Sequence, residues 1–455
     1  MIIKPTVKLN VTRIRPIYKQ EFSPLRVEWL YNVAEAIIGG SKLTIVDRYG
    51  ILERGKQIAT IEEMNKEELE KLKSIPQTHS WLKPDMKIYK VEIPVDLKQY
   101  FSECDWSEKL KLWLTEGLEK DKRIINCVKS ITVPLYGDPL ELQPLNAHSI
   151  WCTNTGTGKS FFAYLWGSEP IIDANTAGLL GSYAESSRGV EVQKGELEGY
   201  GFPILLDEVN TIEKPLIPKL LTYMESGKVK RGLKYPIEVE GTKTIIFTAN
   251  PESNNLISAF ASLLKIIASV EHPERVGRRI GFVLIGNDYK EVKGEQDSSV
   301  REEVMLVLKS AFIAYRKDVC RIIKASDNWI KKRDEDIEKE VMDYSKSCPN
   351  EVVSRFLKGH SLSITRKLKT SAVRYLILEH LDQLPNPDLS NKDEVYSRLF
   401  EINKDSYEKL SVKIEMDEDR KATAKKLRDK GLSIRDIARI FGVSHETVRK
   451  WLKSS

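Results

Sequence analysis

Lys159 and Ser160 close the segment Thr153-Asn154-Thr155-Gly156-Thr157-Gly158-Lys159-Ser160, which lies between a β-type run ending at Cys152 and a helical pattern starting near Phe161. Glycines in such a strand-loop-helix turn let backbone N–H groups point inward around phosphate oxygens, and the helix N-terminus adds partial positive charge. Thr155, Gly156, Thr157 and Gly158 therefore form the cradle, Lys159 reaches β- and γ-phosphates, and Ser160 binds Mg²⁺. The full pattern has glycine where this chain has Thr153. A second apolar run, Ile204-Leu205-Leu206, ends in Asp207-Glu208. Asp207 would hold the metal ion through water, and Glu208 would orient and polarise an attacking water, because phosphoryl transfer depends on positioning and charge stabilisation. A third run, Thr244 to Phe247, leads to Asn250, which holds the same water if the three strands are neighbours. Arg278 and Arg279 precede a fourth run, Phe282 to Ile285, and either one suits the γ-phosphate charge of a neighbouring subunit.

These short apolar runs lack alternation, as strands buried on both faces do, and helical patterns lie between them. The expectation is an α/β fold with a nucleotide-binding core over 125–290. Helical periodicity over 291–384 reads as a lid. Residues 385–418 open on Pro385-Asn386-Pro387 and read as a linker with one helix, and residues 1–120 read as a mixed α/β domain without an interpretable motif. The 455 residues are 41% hydrophobic and 30% charged, and no apolar run approaches the roughly 20 residues of a membrane-spanning helix. The N-terminus has no secretory-signal pattern, so a cytoplasmic protein with no membrane partner is expected. The five cysteines are scattered without zinc-ligand spacing.

The order of phosphate loop, Asp207-Glu208, Asn250 and arginines before a strand resembles the AAA+ ATPases. Segments such as Asn175–Leu179, Lys194–Leu197, Leu206–Val209 and Met224–Gly227 make it most similar to the minichromosome maintenance (MCM) branch and its mobile-element relatives, including replication proteins of archaeal plasmids or viruses. The resemblance covers roughly residues 125 to 380. It implies an AAA+ parallel sheet with a helical lid, ATP and Mg²⁺ as ligands, a homo-hexamer or similar ring with an arginine finger acting in trans, and a sensor arginine in the lid, for which Arg366 matches. The chain departs from the branch at Gly158, where alanine is usual. It departs again at Arg278-Arg279-Ile280-Gly281, where Ser-Arg-Phe-Asp is usual, and it has no visible zinc-binding N-terminal domain. The branch carries two inserted hairpins. Gly227 to Lys234 alternates basic and apolar residues as one hairpin arm would, so Lys228, Lys230, Arg231 and Lys234 are expected to track a phosphate backbone. Ser186 to Val190 marks the other.

Residues 419–455 form the basic end of the chain: from Arg420 onward, eleven Lys/Arg face three Asp/Glu. Ser433 caps a helix from Ile434 to Phe441, Gly442-Val443 turns, and Ser444 caps a second helix through Leu452. This resembles the resolvase and transposase type of helix-turn-helix. His445, Glu446, Arg449 and Lys450 would face a major groove, Glu446 accepting from cytosine and Arg449 donating to guanine. Together these features predict a ring-forming ATPase that binds DNA and translocates on it or melts it, as a mobile-element replication initiator or helicase would. The alternative is an ATP-dependent transcription regulator that remodels a polymerase–promoter complex.

Overall fold

The computed structural model describes residues 105–411, apart from 187–188, 194, 233, 235, 252–254, 269–271 and 330–332, and residues 420–453 apart from 442. Before residue 105 it describes four strands, β1 (Thr6–Lys8), β2 (Ile51–Glu53), β3 (Lys56–Glu63) and β4 (Tyr89–Glu92), antiparallel in the order β1-β4-β3-β2. The expected N-terminal domain otherwise lies outside the described residues. The chain continues through helices α1 (Trp106–Thr115), α2 (Lys122–Thr132) and α3 (Pro139–Leu142), strand β5 (His148–Thr153), and helices α4 (Phe161–Leu165) and α5 (Thr176–Leu180). A hairpin of β6 (Ser182–Ser186) and β7 (Gly189–Gln193) follows, then β8 (Ile204–Leu206), α6 (Ile217–Ser226), and a second hairpin of β9 (Lys228–Arg231) and β10 (Ile237–Glu240). Strand β11 (Ile245–Ala249), helices α7 (Leu256–Ile267) and α8 (Pro273–Gly277) and strand β12 (Ile280–Gly286) complete the core.

The central sheet is parallel in the order β12-β5-β11-β8, and the isolated bridge Ile171↔Leu206 extends it beyond β8. Every residue of β5, β8 and β12 is buried, which explains why these runs are continuously apolar instead of alternating. The register aligns Ala249 with Cys152 and Gly286 with Thr153, so the strand ends preceding the loop, Asn250 and Asp207 share one edge of the sheet.

Helices α9 (Arg301–Ala314), α10 (Arg316–Asp327), α11 (Arg333–Ser347), α12 (Glu351–Ser361), α13 (Ile364–Glu379) and α14 (Lys392–Leu410) follow. The helical expectation for the lid holds, but two boundaries need correction. Leu110, Trp113 and Leu114 of α1 belong to the same hydrophobic cluster as the sheet, and fully buried Glu116 receives bonds from Gln296 and Arg301. The core unit therefore begins before residue 120.

The supposed linker is also part of the core. α14 buries Tyr396, Leu399, Phe400 and Tyr407 and covers the outer edge of β12. Asn403 accepts from the Val283 amide at 2.8 Å and donates to the Gly281 carbonyl, while Ser406 accepts from the Ile285 amide. These side chains satisfy amides that an open edge strand would leave unpaired. Residues 412–419 of the expected linker lie outside the described residues.

The C-terminal unit comprises α15 (Arg420–Asp429), α16 (Ile434–Phe441) and α17 (His445–Lys453) around Ala424, Leu427, Leu432, Ile437, Ala438 and Val448. Phe441 packs edge-on against Trp451. No helix among the described residues is long and apolar enough to cross a membrane.

Candidate phosphate site and nucleic-acid interface

Strand β5 delivers the chain into the loop, and α4 leaves it at Phe161. Gly156 and Gly158 have φ near +76° and +75°, a region costly for residues with a Cβ. A Cβ on Gly158 would also lie 2.8 Å from Val292. Thr153 has no positive φ, so its position does not require glycine; its hydroxyl instead pairs with Thr157 at 3.1 Å. The segment after β12 holds the loop from the side: Asn154 N–H donates to Gly286, the Asn154 side chain to the Tyr289 carbonyl, and Val292 N–H to Gly156. Arg123 supports that segment by stacking on Tyr289 at 3.7 Å and bonding Asp121, Asp288 and Asp405.

Lys159 is buried, and its ammonium donates to the carbonyls of Thr153 and Asn154 and, at 2.9 Å, to Asn250 Oδ1. Burial pushes its pKa below the usual range, while Asp207 opposes the shift. Ser160 Oγ donates to Asp207 Oδ2 at 2.6 Å, and Thr248 Oγ1 donates to the other oxygen of Asp207. The strand order places β11, and so Asn250 and Thr248, between the loop strand and the Asp207 strand. Glu208 is exposed at φ +52°. Such a backbone is unfavourable for a residue with a side chain and persists where surrounding structure imposes it. Thus Lys159, Ser160, Asp207 and Asn250 form one connected group, with Thr155 and Gly156 exposed beside it and Glu208 immediately following Asp207. Thr157, expected in the cradle, bonds Thr153 and the Asn154 carbonyl, whereas Thr248 and Arg123 are support residues that the motif reading missed. Thr248 directly precedes Ala249-Asn250 in the third run, whereas the contacts of Arg123 reach up to 282 positions away.

The arginines lie at the opposite edge. β12 begins beside His148, the first residue of β5, so Arg278 and Arg279 are separated from the loop by the length of that strand, roughly 20 Å. Arg279 is a correction: it is buried, with its guanidinium donating to the Leu221 and Arg275 carbonyls and to Glu225. It serves to lock α6 to the β12 entrance, whereas Arg278 is exposed. Arg366, the candidate sensor arginine, also lies toward that edge. It makes a two-pronged 2.6 Å pair with Asp327, and the adjacent Lys367 donates to the carbonyls of Pro144 and Asn146, before β5 begins. Lys367 and Arg374 are wholly buried with carbonyl and amide partners; burial lowers the Lys367 pKa to about 7 and the Arg374 pKa to about 9.

β9 and β10 form the expected hairpin, but its charge is balanced. Lys228 pairs with Glu240 at 2.8 Å, and Lys230 stands opposite Glu238 in the register. Arg231 donates to the Gly181 and Thr176 carbonyls, and Lys234 pairs with Glu185. The four basic residues expected to track a phosphate backbone thus stand beside acidic or carbonyl partners of the same chain. Lys230 is exposed, whereas Lys228, Arg231 and Lys234 are engaged within the chain. The second expected insert coincides with the β6–β7 turn, whose residues 187–188 lie outside the described residues.

In the C-terminal unit, Ser433 Oγ accepts from Asp436 N–H and Ser444 Oγ from Thr447 N–H, capping α16 and α17 as expected. His445, Glu446, Arg449 and Lys450 are all exposed on α17. Arg439 of α16 reaches the Pro349 carbonyl and Glu351. The unit therefore rests on the helical region through α16.

Residues 415–455 match the model of the homeodomain-like domain family, which supports DNA binding by this end of the chain. No curated protein matches the chain. Fold and comparison together define an α/β protein with a parallel sheet, many helices and a C-terminal helix-turn-helix module.

Proposed function

We propose that the chain is an ATP hydrolase of the AAA+ type that assembles into a ring, binds DNA through its C-terminal module, and uses hydrolysis to translocate on the DNA or melt it. The observation carrying the proposal is the connected group Lys159, Asn250, Ser160 and Asp207 beside a glycine loop with two positive φ values. The donor set fits a nucleoside triphosphate: buried Lys159 supplies a cation, and the amides of the glycine loop would supply neutral donors. Ser160 and Asp207 would hold a magnesium ion, which would neutralise charge on the phosphates. Glu208 orients the attacking water and accepts its proton. Asn250 fixes that water while remaining in reach of Lys159.

The exposed Arg278 lies at the sheet edge remote from its own loop, where an arginine acting on the loop of another copy would stand. That arrangement supports a head-to-tail ring. The helix-turn-helix places DNA on the same chain as this site. Among possible roles, a replication initiator or helicase of a mobile element combines these parts directly.

The test is ATP turnover of the full chain with and without DNA over a range of salt concentrations. Stimulation by DNA that weakens with salt, and is lost in Lys159→Ala, is expected. Equal turnover with and without DNA at every salt concentration sinks the proposed coupling.

A further inference from the structure

A cavity of about 330 Å³ lies outside the phosphate site, lined by Tyr136, Gly137, Tyr200, Arg316, Lys317 and Cys320. The two tyrosine rings stand with centroids 5.8 Å apart and planes tilted by 43°. Arg316 and Lys317 are the first two residues of α10 and bring two cations to the same wall. Gly137 lets Leu142 and Cys320 approach closely at the cavity wall: a Cβ there would lie 2.8 Å from Leu142 and 3.0 Å from the Cys320 sulfur. We propose that this cavity takes one nucleotide unit of a single DNA strand, with the base against the Tyr136–Tyr200 pair and the phosphate at Arg316 and Lys317. The inference rests on the reading that the chain acts on DNA.

Aromatic rings beside cations are the chemistry that binds a single strand without regard to sequence, since every base has a face to stack and every linkage a negative charge. The volume suits a base with part of its sugar. The carboxylates around the cavity are partnered within the chain, Glu141 by Lys324 and Asp318 by Arg321. Glu240 is held by Lys228, and Asp138 is engaged in capping Leu140 N–H of α3.

The end of the hairpin lies close to one wall of the cavity. Gly199 donates to the Glu240 carbonyl at 2.7 Å, which sets Tyr200 at the foot of β10, and Lys230 stands exposed farther along the paired strand. A strand running along the hairpin past Lys230 would reach the tyrosines next. The cavity would thus supply the backbone and base contacts that the charge-balanced hairpin does not.

The experiment uses the full chain with Arg449→Ala and Lys450→Ala added to weaken the C-terminal module, and measures affinity for an oligothymidylate of about 20 nucleotides by fluorescence anisotropy. Tyr200→Ala is expected to weaken binding about tenfold, while Tyr200→Phe, which keeps the ring, restores it. Arg316→Ala with Lys317→Ala is expected to weaken binding and flatten its salt dependence. A 5-iodouracil oligonucleotide is expected to crosslink at Tyr136 or Tyr200. Unchanged affinity in Tyr200→Ala with a correctly melting protein, or crosslinks confined to other segments, overturns the proposal. So does free thymidine monophosphate that binds the cavity as tightly as the oligonucleotide, since the site is then for a mononucleotide. The wider reading fails separately, if neither single-stranded nor duplex DNA alters ATP turnover.

Discussion

The two edges of the central sheet both gather cations, yet treat them differently. At the loop edge, Lys159 donates to Asn250 and to the Thr153 and Asn154 carbonyls, its neighbour Ser160 bonds Asp207, and exposed Thr155, Gly156 and Glu208 leave that edge open. At the other edge, Arg279, Lys367 and Arg374 are buried against carbonyls, and only Arg279 adds a carboxylate. Lys159 too has its donors engaged within the fold, and what separates it from the second group is the exposed surface beside it. A positive residue at a strand end therefore indicates binding chemistry only where exposed surface adjoins it, and exposed Arg278 meets that condition where buried Arg279 does not.

The largest separation between the edges is expected from the paired arginines. Arg278→Ala should lower ATP turnover about 1000-fold while leaving the melting temperature unchanged, as loss of an arginine supplied in trans would. Arg279→Ala should show its first effect in urea unfolding, because it strands Glu225 and two carbonyls. Equal melting temperatures for the two variants would break the comparison. Arg374→Met should destabilise by about 3 kcal/mol in urea unfolding, since Asn146 and the Ile131 carbonyl lose a buried donor. A loss below about 0.5 kcal/mol would show that this edge tolerates unpaired carbonyls.

In the C-terminal module, Arg449→Ala should weaken duplex DNA binding about tenfold with no change in basal ATP turnover. On the hairpin, Lys230→Ala should weaken DNA binding more than Lys228→Ala by a few-fold, because Lys228 already pairs with Glu240. Equal effects would place both lysines on DNA.

The glycine loop was legible because its parts are consecutive: a strand, two glycines that must take positive φ, and a helix. Asp207 and Asn250 were readable from apolar runs that end in polar residues, and the sheet order brings them together. Arg279 could not be told from Arg278, because the partner that buries it, Glu225, is 54 residues earlier. The hairpin's neutrality was readable and was passed over: Ile237-Glu238-Val239-Glu240 repeats the alternation of the basic arm with opposite charge. α14 was also readable, since Tyr396, Leu399, Phe400, Asn403 and Tyr407 recur at helical spacing, but its charged outer face made it look like a connector. Its role at the β12 edge depends on Asn403 and Ser406 bonding a strand some 120 positions away, which no local pattern records.

The most direct test of the loop edge is phosphate release from magnesium-ATP by the full chain compared with Glu208→Gln, alongside ATP binding by both. The account predicts turnover by the parent chain, a loss of about 100-fold or more in Glu208→Gln, and ATP binding retained in the variant. Equal turnover by the two proteins, or no ATP binding by either, would contradict it.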